Sequence, residues 1–258
     1  MRKLLVAAIA AALAVAGFTV FAVAGTGEQD TSWEFTTTKK GKNKATGTNS
    51  IVVPAKKDDK GTPSDTSDDH YSPPAKTVIE FTKGAEVDTG ARARCKESPS
   101  DVQSGREKCP NKTKIGTGLA TSLLGQPDAG AGTPVVAPIE AFNQKKGILF
   151  IVKPCSPNTG PGNPTPCSPI PGGTIALVGT WTKAATKPTL TVPTPPALLQ
   201  GGVIITRFQL KTNRFKSKKG SYVKTPEVCK GGTWSTRAKM TYQDGSKQTI
   251  KDTNPCNA

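Results

Sequence analysis

The sequence is poor in the residues on which catalysis and metal binding most often depend. Its only histidine, His70, lies in the polar segment SDDHYSPP, whereas catalytic triads need a histidine or a substitute base held by a folded scaffold. No two cysteines have the C-x-x-C spacing of zinc sites, and the acids beside His70 lack the EF-hand pattern. We therefore predict no catalytic residues, no cofactor and no metal site, which favours a protein that is not an enzyme.

Hydrolysis by paired carboxylates stays open as the alternative. Two such groups can be distant in sequence and still meet in the fold. The candidates on predicted strands are Glu80 and Glu140. The alternative function is therefore a secreted carbohydrate-active enzyme or another hydrolase.

Long hydrophobic runs are absent after the first 24 residues. The chain starts with MRKLLVAAIAAALAVAGFTVFAVAG, in which two cations precede an apolar run that ends in Ala22-Val23-Ala24. This is the pattern of a signal peptide cut after Ala24, and an uncleaved membrane segment is the alternative. We expect residues 1–24 to form an N-terminal signal helix. The protein is then secreted or associated with the cell envelope, and it meets a membrane only if that segment stays uncleaved.

Acidic residues are also scarce, because 35 lysines and arginines stand against 19 acids and give a net charge of +16. Such a charge attracts polyanions. The densest basic run contains no acid and interleaves Phe215 and Tyr222, whose rings could stack on a ligand. Its cations are Arg207, Lys211, Arg214, Lys216, Lys218, Lys219 and Lys224. The expected partner is an anionic envelope polymer and no specific nucleic acid; the other interpretation is a solvated hairpin tip whose lysines protect a sheet edge.

Cysteines, by contrast, are present in an even number. Six cysteines in an exported protein predict three disulfides. Sequence alone does not choose among the possible connectivities, but the cysteines fall into three near pairs. These favour Cys95–Cys109, Cys155–Cys167 and Cys229–Cys256.

Glycine and proline are abundant and aromatic residues are few, which favours short strands over long helices. Residues 202–211 and 233–242 alternate apolar and polar side chains, and Asp244-Gly245 is a hairpin signal. Further strands are expected over 76–83, 147–153 and 174–183, with one helical turn within 98–108 capped by Ser98 or Ser100. Weaker strand candidates are SWEFTTT, NSIVVP, TPVVAPIEAF and PTLTVP.

Strands with one apolar face need a second layer to cover that face. The predicted fold is therefore an all-β, disulfide-pinned antiparallel β-sandwich, Ig-like or jelly-roll-like. It forms a single domain over residues 25–258, with flexible loops at 54–76 and 154–173, which are rich in charged residues, proline and glycine. The oligomeric state is left open.

The stretch CPNKTKIGTG at 109–118 has the residue types of a phosphate loop in the wrong order. A Walker loop places lysine directly after its last glycine, whereas Lys112 and Lys114 precede both glycines here. A strand from Ile115 onwards is the better prediction. Its core face would carry Ile115, Thr117, Leu119, Thr121 and Leu123. The other face, with Gly116, Gly118, Ala120 and Ser122, would lie close to another backbone.

Two segments carry a resemblance to a family. Residues 95–121, C-x13-C-P-N-K-T-K-I-G-T-G-L-A-T, resemble a module of uncharacterised exported proteins from actinobacteria. Residues 205–256 are similar to the ending of the same group, with a basic tip, TP..C, G-x-W, a D-G hairpin and a final cysteine. The resemblance implies an exported β-rich protein with disulfides, and it assigns no activity.

Overall fold

The computed structural model describes most of the chain beyond the predicted signal segment. The described residues are 32–36, 44–52, 56–58, 70–105, 108–124, 133–157, 167–169, 173–184, 187–199, 203–218 and 220–256. The predicted signal helix lies outside them. Among the described residues, no helix has the length and apolar composition needed to cross a membrane.

The described residues form many strands and a few short helices. The first ten strands are β1 Ser32–Phe35, β2 Ala45–Thr46, β3 Thr48–Val52, β4 Lys56–Asp58, β5 His70–Ser72, β6 Pro74–Glu80, β7 Glu86–Val87, β8 Lys114–Leu124, β9 Thr133–Asn143 and β10 Gly147–Val152. The next ten are β11 Cys155–Pro157, β12 Cys167–Pro169, β13 Ile175–Ala184, β14 Lys187–Pro193, β15 Val203–Thr212, β16 Lys216–Ser217, β17 Gly220–Ser221, β18 Val223–Lys224, β19 Thr233–Tyr242 and β20 Lys247–Pro255. The helices are α1 Pro99–Gln103 and α2 Pro196–Leu199, with 3₁₀ turns at Asn111–Thr113 and Lys230–Gly232. The all-β prediction is confirmed, and each strand segment named from the sequence contains a strand.

One antiparallel sheet holds most of these strands, in the order β1-β3-β15-β8-β9-β10-β13-β14-β6-β19-β20. The sheet curls strongly. Phe150 on β10 and Phe208 on β15 are three strand steps apart, about 14 Å in a flat sheet, yet their ring centroids lie 5.6 Å apart. The two edges also meet: Trp33 on β1 donates its backbone N–H to Asp252 on β20 at 2.7 Å. The two layers of the fold are thus halves of one continuous sheet.

The inner face of this sheet encloses the main hydrophobic core. An aromatic chain runs through it, with Trp33 edge-on to Phe81 at 4.8 Å and Phe81 next to Trp181 at 5.4 Å. On the C-terminal hairpin, Trp234, Ala238, Met240 and Tyr242 are all buried, as the alternation in this strand predicted. Asp244-Gly245 forms the predicted turn, in which Gly245 has a φ of 80°.

A smaller core lies on the outer face of the sheet. All six residues of β10 are buried, because α1 covers its outer side with Val102, packed against Leu149 and Ile151. The helix begins with a capping box between Ser98 and Asp101, which confirms Ser98 as the predicted cap.

Two of the three predicted disulfides are present. They are Cys95–Cys109, which closes the segment that carries α1, and Cys229–Cys256, which joins the C-terminal strand to the loop before β19. Cys155 is also disulfide-bonded, while the side chain of Cys167 lies outside the described part of the chain. Two disulfides are consistent with an extracellular or otherwise oxidising environment.

The predicted orientation of β8 is confirmed at Ile115, which is fully buried in the inner core, and is wrong for the residues after it. Thr117 is exposed and Leu119 is half-buried, whereas Ala120 is fully buried within the inner core. The inner face of β8 therefore carries the small residues, because the register shifts between Lys114 and Gly116 and large side chains from other strands fill the space. The predicted close approach is present, since a Cβ on Gly118 would collide with the carbonyl of Gln209 on β15.

The two predicted loops contain short paired strands. Within 54–76, β4 pairs antiparallel with β5, so that Asp58 lies opposite His70, and β6 begins at Pro74. Within 154–173, β11 pairs with β12. Residues 54–55, 59–69, 158–166 and 170–172 lie outside the described part of the chain, and so does the side chain of His70.

Candidate functional site

Four strands of the sheet begin or end at the same place. β8 and β10 start there, at Lys114 and Gly147, and β9 and β15 finish there, at Asn143 and Thr212. The loops that connect these strands, and the segment before β8, therefore cluster at this end of the molecule. They carry the candidate site.

Asn143 fixes the segment that precedes the first disulfide. Its side chain is fully buried, and its amide nitrogen lies within hydrogen-bond distance of the carbonyl oxygens of Thr89, Arg92 and Ala93 at 3.0, 3.1 and 3.1 Å. Its own backbone carbonyl accepts from the N–H of Cys95 at 2.8 Å. Burying an amide is favourable only when such bonds are made, so this residue holds 89–95 against the end of β9.

The basic hairpin, which comprises residues 213–224, contacts residues 89–95 and the start of β8. Asn213 donates its backbone N–H to the carbonyl of Ile115 at 2.9 Å, and the Ser217 hydroxyl donates to the carbonyl of Ala91 at 3.1 Å. The guanidinium of Arg92 lies over the ring of Phe215, 3.9 Å from its centroid, and donates to the carbonyl of Lys114 at 3.4 Å. β16 and β17 form the hairpin itself. The sequence allowed this hairpin to be a solvated tip. It is instead attached to residues 91–92, which precede the Cys95–Cys109 disulfide and are distant from the hairpin in sequence.

The surface of this assembly is strongly cationic. We call its eight exposed cations the basic end: Arg94, Lys96, Lys112, Lys145, Lys146, Arg214, Lys216 and Lys218. None of them forms an ion pair with an acid in the described part of the chain. One nearby carboxylate, that of Asp88, accepts from the backbone N–H of Gly90 at 2.7 Å. Within the described residues, the positive charge of the basic end is therefore not neutralised by ion pairs.

The structure divides the cations that the sequence singled out. Arg214, Lys216 and Lys218 belong to the basic end, and Lys211 is exposed on β15 two residues before Asn213. Arg207 is half-buried further along the same strand. Lys224 forms an ion pair with Glu86 at 2.8 Å on neighbouring strands. Lys219 lies outside the described residues.

The predicted stacking role of the aromatic residues is wrong for Tyr222. Its side chain is buried in the inner core, about 1% exposed, and burial raises the pKa of its hydroxyl, although the neighbouring Trp181 lowers it in part. Phe215 is half-buried, and Arg92 covers one face of its ring. The basic end therefore offers charge and hydrogen-bond donors to a ligand rather than an open ring.

Five cations of the basic end were missed at the sequence level: Arg94, Lys96, Lys112, Lys145 and Lys146. Each lies in a short basic cluster, such as ARARCK or QKK. Their convergence with the hairpin depends on which strands end at the same place, and no local pattern contains that information.

The two carboxylates proposed for hydrolysis are not brought together. Glu80 binds Lys187 at 2.7 Å and also Lys239; hydrogen bonds to these lysines lower its pKa, with burial opposing the shift. Glu140 binds Lys114 and lies 3.8 Å from Lys153. The two acids lie on β6 and β9, four strand steps apart in the sheet. Their neighbours Ile79, Phe81, Ile139 and Ala141 belong to the inner core. Both acids therefore point to the outer face, where the curling of the sheet moves side chains apart.

Clusters of metal-ligating residues give no second candidate. Among the described residues, no group of three histidine, cysteine, aspartate or glutamate side chains could hold a metal ion.

Comparison with protein-family models, curated proteins and solved structures finds no match to this chain. The resemblance of 95–121 and 205–256 to exported actinobacterial proteins stays a prediction.

Proposed function

We propose that this protein is an exported, non-catalytic protein of the cell surface or envelope that binds anionic polymers through its basic end. One observation carries the proposal: exposed cations from separate segments converge on one end of the sheet without acidic partners in the described residues. Their neighbours are hydrogen-bonded into a fixed scaffold by Asn143 and Ser217. A preorganised cationic surface binds a polyanion at a smaller entropic cost than mobile side chains would.

The arrangement favours recognition of the polymer backbone. Lysine and arginine side chains bind phosphate, sulfate or carboxylate oxygens and release condensed counterions, and this contribution is independent of sequence. Stacking on bases or sugars would need free aromatic rings, but Tyr222 is buried and Phe215 is partly covered. We therefore expect binding to follow charge density rather than the identity of a base or sugar.

The disulfide framework fits the proposed location. Cys95–Cys109 lies directly beside Arg94 and Lys96, so an oxidised cysteine pair fixes the part of the chain that presents these cations. Such a pair persists in an oxidising compartment outside the cytosol. The proposed ligand, an anionic envelope polymer, occurs on that side of the membrane.

Binding is measured by fluorescence anisotropy of a labelled poly(glycerol phosphate) chain of defined length, with the oxidised protein at about 50 mM salt. The basic-end variant replaces Arg214, Lys216 and Lys218 with glutamine. All three are exposed and have no acidic partner in the described residues, so the fold should tolerate the change. We expect the affinity to fall at least about tenfold, because three phosphate contacts are lost.

A matched control removes the same charge elsewhere. The far-side variant replaces Lys76, Lys247 and Lys251 with glutamine; these exposed lysines lie on β6 and β20. Its affinity should stay within about threefold of the unchanged protein, because only the distant field is altered. Equal losses in the two variants would show that net charge alone drives binding, and the proposed site would be wrong.

A further inference from the structure

The inner face of the sheet encloses a cavity that is separate from the basic end. Its volume is about 90 Å³. Its lining is dominated by large apolar side chains from strands on both halves of the sheet, among them Ile79, Phe150, Leu177, Leu190, Phe208 and Leu210. None of the described lining residues is ionisable. Its chemistry is therefore opposite to that of the basic end.

The cavity reaches the surface at the other end of the sheet. Pro193, at the end of β14, is exposed, and Pro73 and Thr194 are half-buried, yet all three belong to the lining. Leu198 of α2 is buried in the same wall. A ligand would enter between α2 and the start of β6.

The polar atoms of the lining do not favour bound water. An ordered internal water needs two to four polar partners. The Ser50 hydroxyl already donates to the carbonyl of Leu210 at 3.1 Å, and the Thr194 hydroxyl donates to that of Pro74 at 2.5 Å. Thr77 supplies the remaining hydroxyl of the lining. Apolar cavities of this kind stay dry.

Trp33 makes occupation of the cavity measurable. Its side chain belongs to the lining, although its indole nitrogen is itself buried and is not reached from the cavity. The indole N–H of Trp234, in contrast, donates to the carbonyl of Val228 at 3.0 Å, and Trp234 is not part of the lining. The indole signal of Trp33 therefore reports on the cavity, and that of Trp234 serves as an internal control.

We propose that this cavity binds a small uncharged molecule with a short aliphatic chain. The chain fills the apolar space, and a polar end of the molecule stays at the mouth beside Pro193 and Thr194. The apolar lining makes burial of the chain favourable, and the absence of charge from its described residues excludes ionised head groups. This site does not depend on polyanion binding at the basic end.

The probe is a series of straight-chain 1-alkanols, from butanol to decanol, added to ¹⁵N-labelled oxidised protein. The three tryptophans give three indole N–H signals, and Trp33→Phe identifies that of Trp33 while keeping an aromatic ring. We expect the Trp33 signal to shift with saturation and the Trp234 signal to stay in place. The affinity should rise about fourfold for each added methylene and level off when the cavity is full.

Variants of the lining should move the chain length at which the affinity levels off. Val192→Phe on β14 adds bulk to the cavity, so the plateau should occur at shorter alkanols. Its matched control is Val78→Phe on β6, whose side chain points to the outer face between the lining residues Thr77 and Ile79; it should change nothing. Leu177→Ala enlarges the cavity and should move the plateau to longer alkanols, and it provides the test if Val192→Phe does not fold.

Three results would overturn the proposal. One is the absence of any saturable shift of the Trp33 signal with all the alkanols. Another is an equal shift of all three indole signals, which indicates general solvent effects. The third is an affinity that rises with chain length without a plateau and is the same in Val192→Phe, Leu177→Ala and the unchanged protein.

Discussion

The carbonyl oxygen of Lys211 lies 2.5 Å from the position that a Cβ atom on Gly116 would occupy. The same relationship recurs one pleat along, between Gly118 and Gln209. β8 and β15 are hydrogen-bonded neighbours in the sheet, and at these two positions their backbones lie so close that only glycine fits. This contact explains the two glycines of CPNKTKIGTG without a phosphate ligand.

Replacement of Gly118 by alanine should destabilise the protein by roughly 1–3 kcal/mol, because the backbone of β15 must shift to accept the methyl group. Urea unfolding of the oxidised protein measures this change. Gly90→Ala is the control, since its Cβ would meet side chains and no backbone, with Asp88 at 3.0 Å and Arg94 at 3.8 Å. It should stay within about 0.5 kcal/mol. Equal stability of Gly118→Ala and the unchanged protein would mean that β8 and β15 are not packed as described.

Removal of either described disulfide should destabilise the protein by a predictable amount. The bridges join residues 14 and 27 positions apart, and loop-closure entropy assigns them about 3 and about 3.6 kcal/mol. Double cysteine-to-serine variants, compared by urea unfolding, test both values. A variant that lacks Cys95 and Cys109 but keeps full stability would contradict the role of this bridge in holding α1 and the basic end.

Low pH should reduce the contribution of Glu80 to the free energy of unfolding. Its pKa lies below the ordinary value of 4.5 because of hydrogen bonds to Lys187 and Lys239, so the folded state binds the proton less tightly than the unfolded state. The stabilisation is present above about pH 4.5 and is lost as the pH falls through the lowered pKa. It should amount to no more than about 1 kcal/mol, since both lysines are partly exposed.

The Glu80→Gln variant tests this dependence. Its unfolding free energy should be lower than that of the unchanged protein at pH 7, and the difference should shrink towards pH 3. Glu227→Gln, at an exposed carboxylate without a partner in the described residues, should show no such convergence. A difference that is independent of pH would indicate that the Glu80 ion pairs do not contribute.

Local sequence patterns predicted the structure correctly wherever the geometry of an element depends only on residues that are close in sequence. The capping box of Ser98 and Asp101, the Asp244-Gly245 turn and the alternation in β19 involve neighbours in sequence, and the structure has all three. The two described disulfides, Cys95–Cys109 and Cys229–Cys256, belong to the same class, because a short loop brings its own ends together.

Local sequence patterns gave the wrong orientation where packing between strands that are distant in sequence determines which side chains face the core. Alternation placed Leu119 inside, but a register shift at the start of β8 turns Ala120 inwards instead. On β15, strict alternation would put Ile204 on the same face as Phe208, but a second shift between Ile205 and Arg207 makes Ile205 line the cavity with Phe208 instead. A one-residue shift reverses the face of every later side chain. The basic end likewise exists only because separate strand termini coincide.

The salt dependence of poly(glycerol phosphate) binding tests the central claim most directly. The slope of log Kobs against log salt counts the phosphate contacts, at about 0.7–0.9 per contact. The account predicts that replacing Arg214, Lys216 and Lys218 reduces the magnitude of this slope by about 2–3, while the far-side variant keeps the slope of the unchanged protein. Slopes that are the same for all three proteins, or reduced equally in both variants, would contradict a binding site at the basic end.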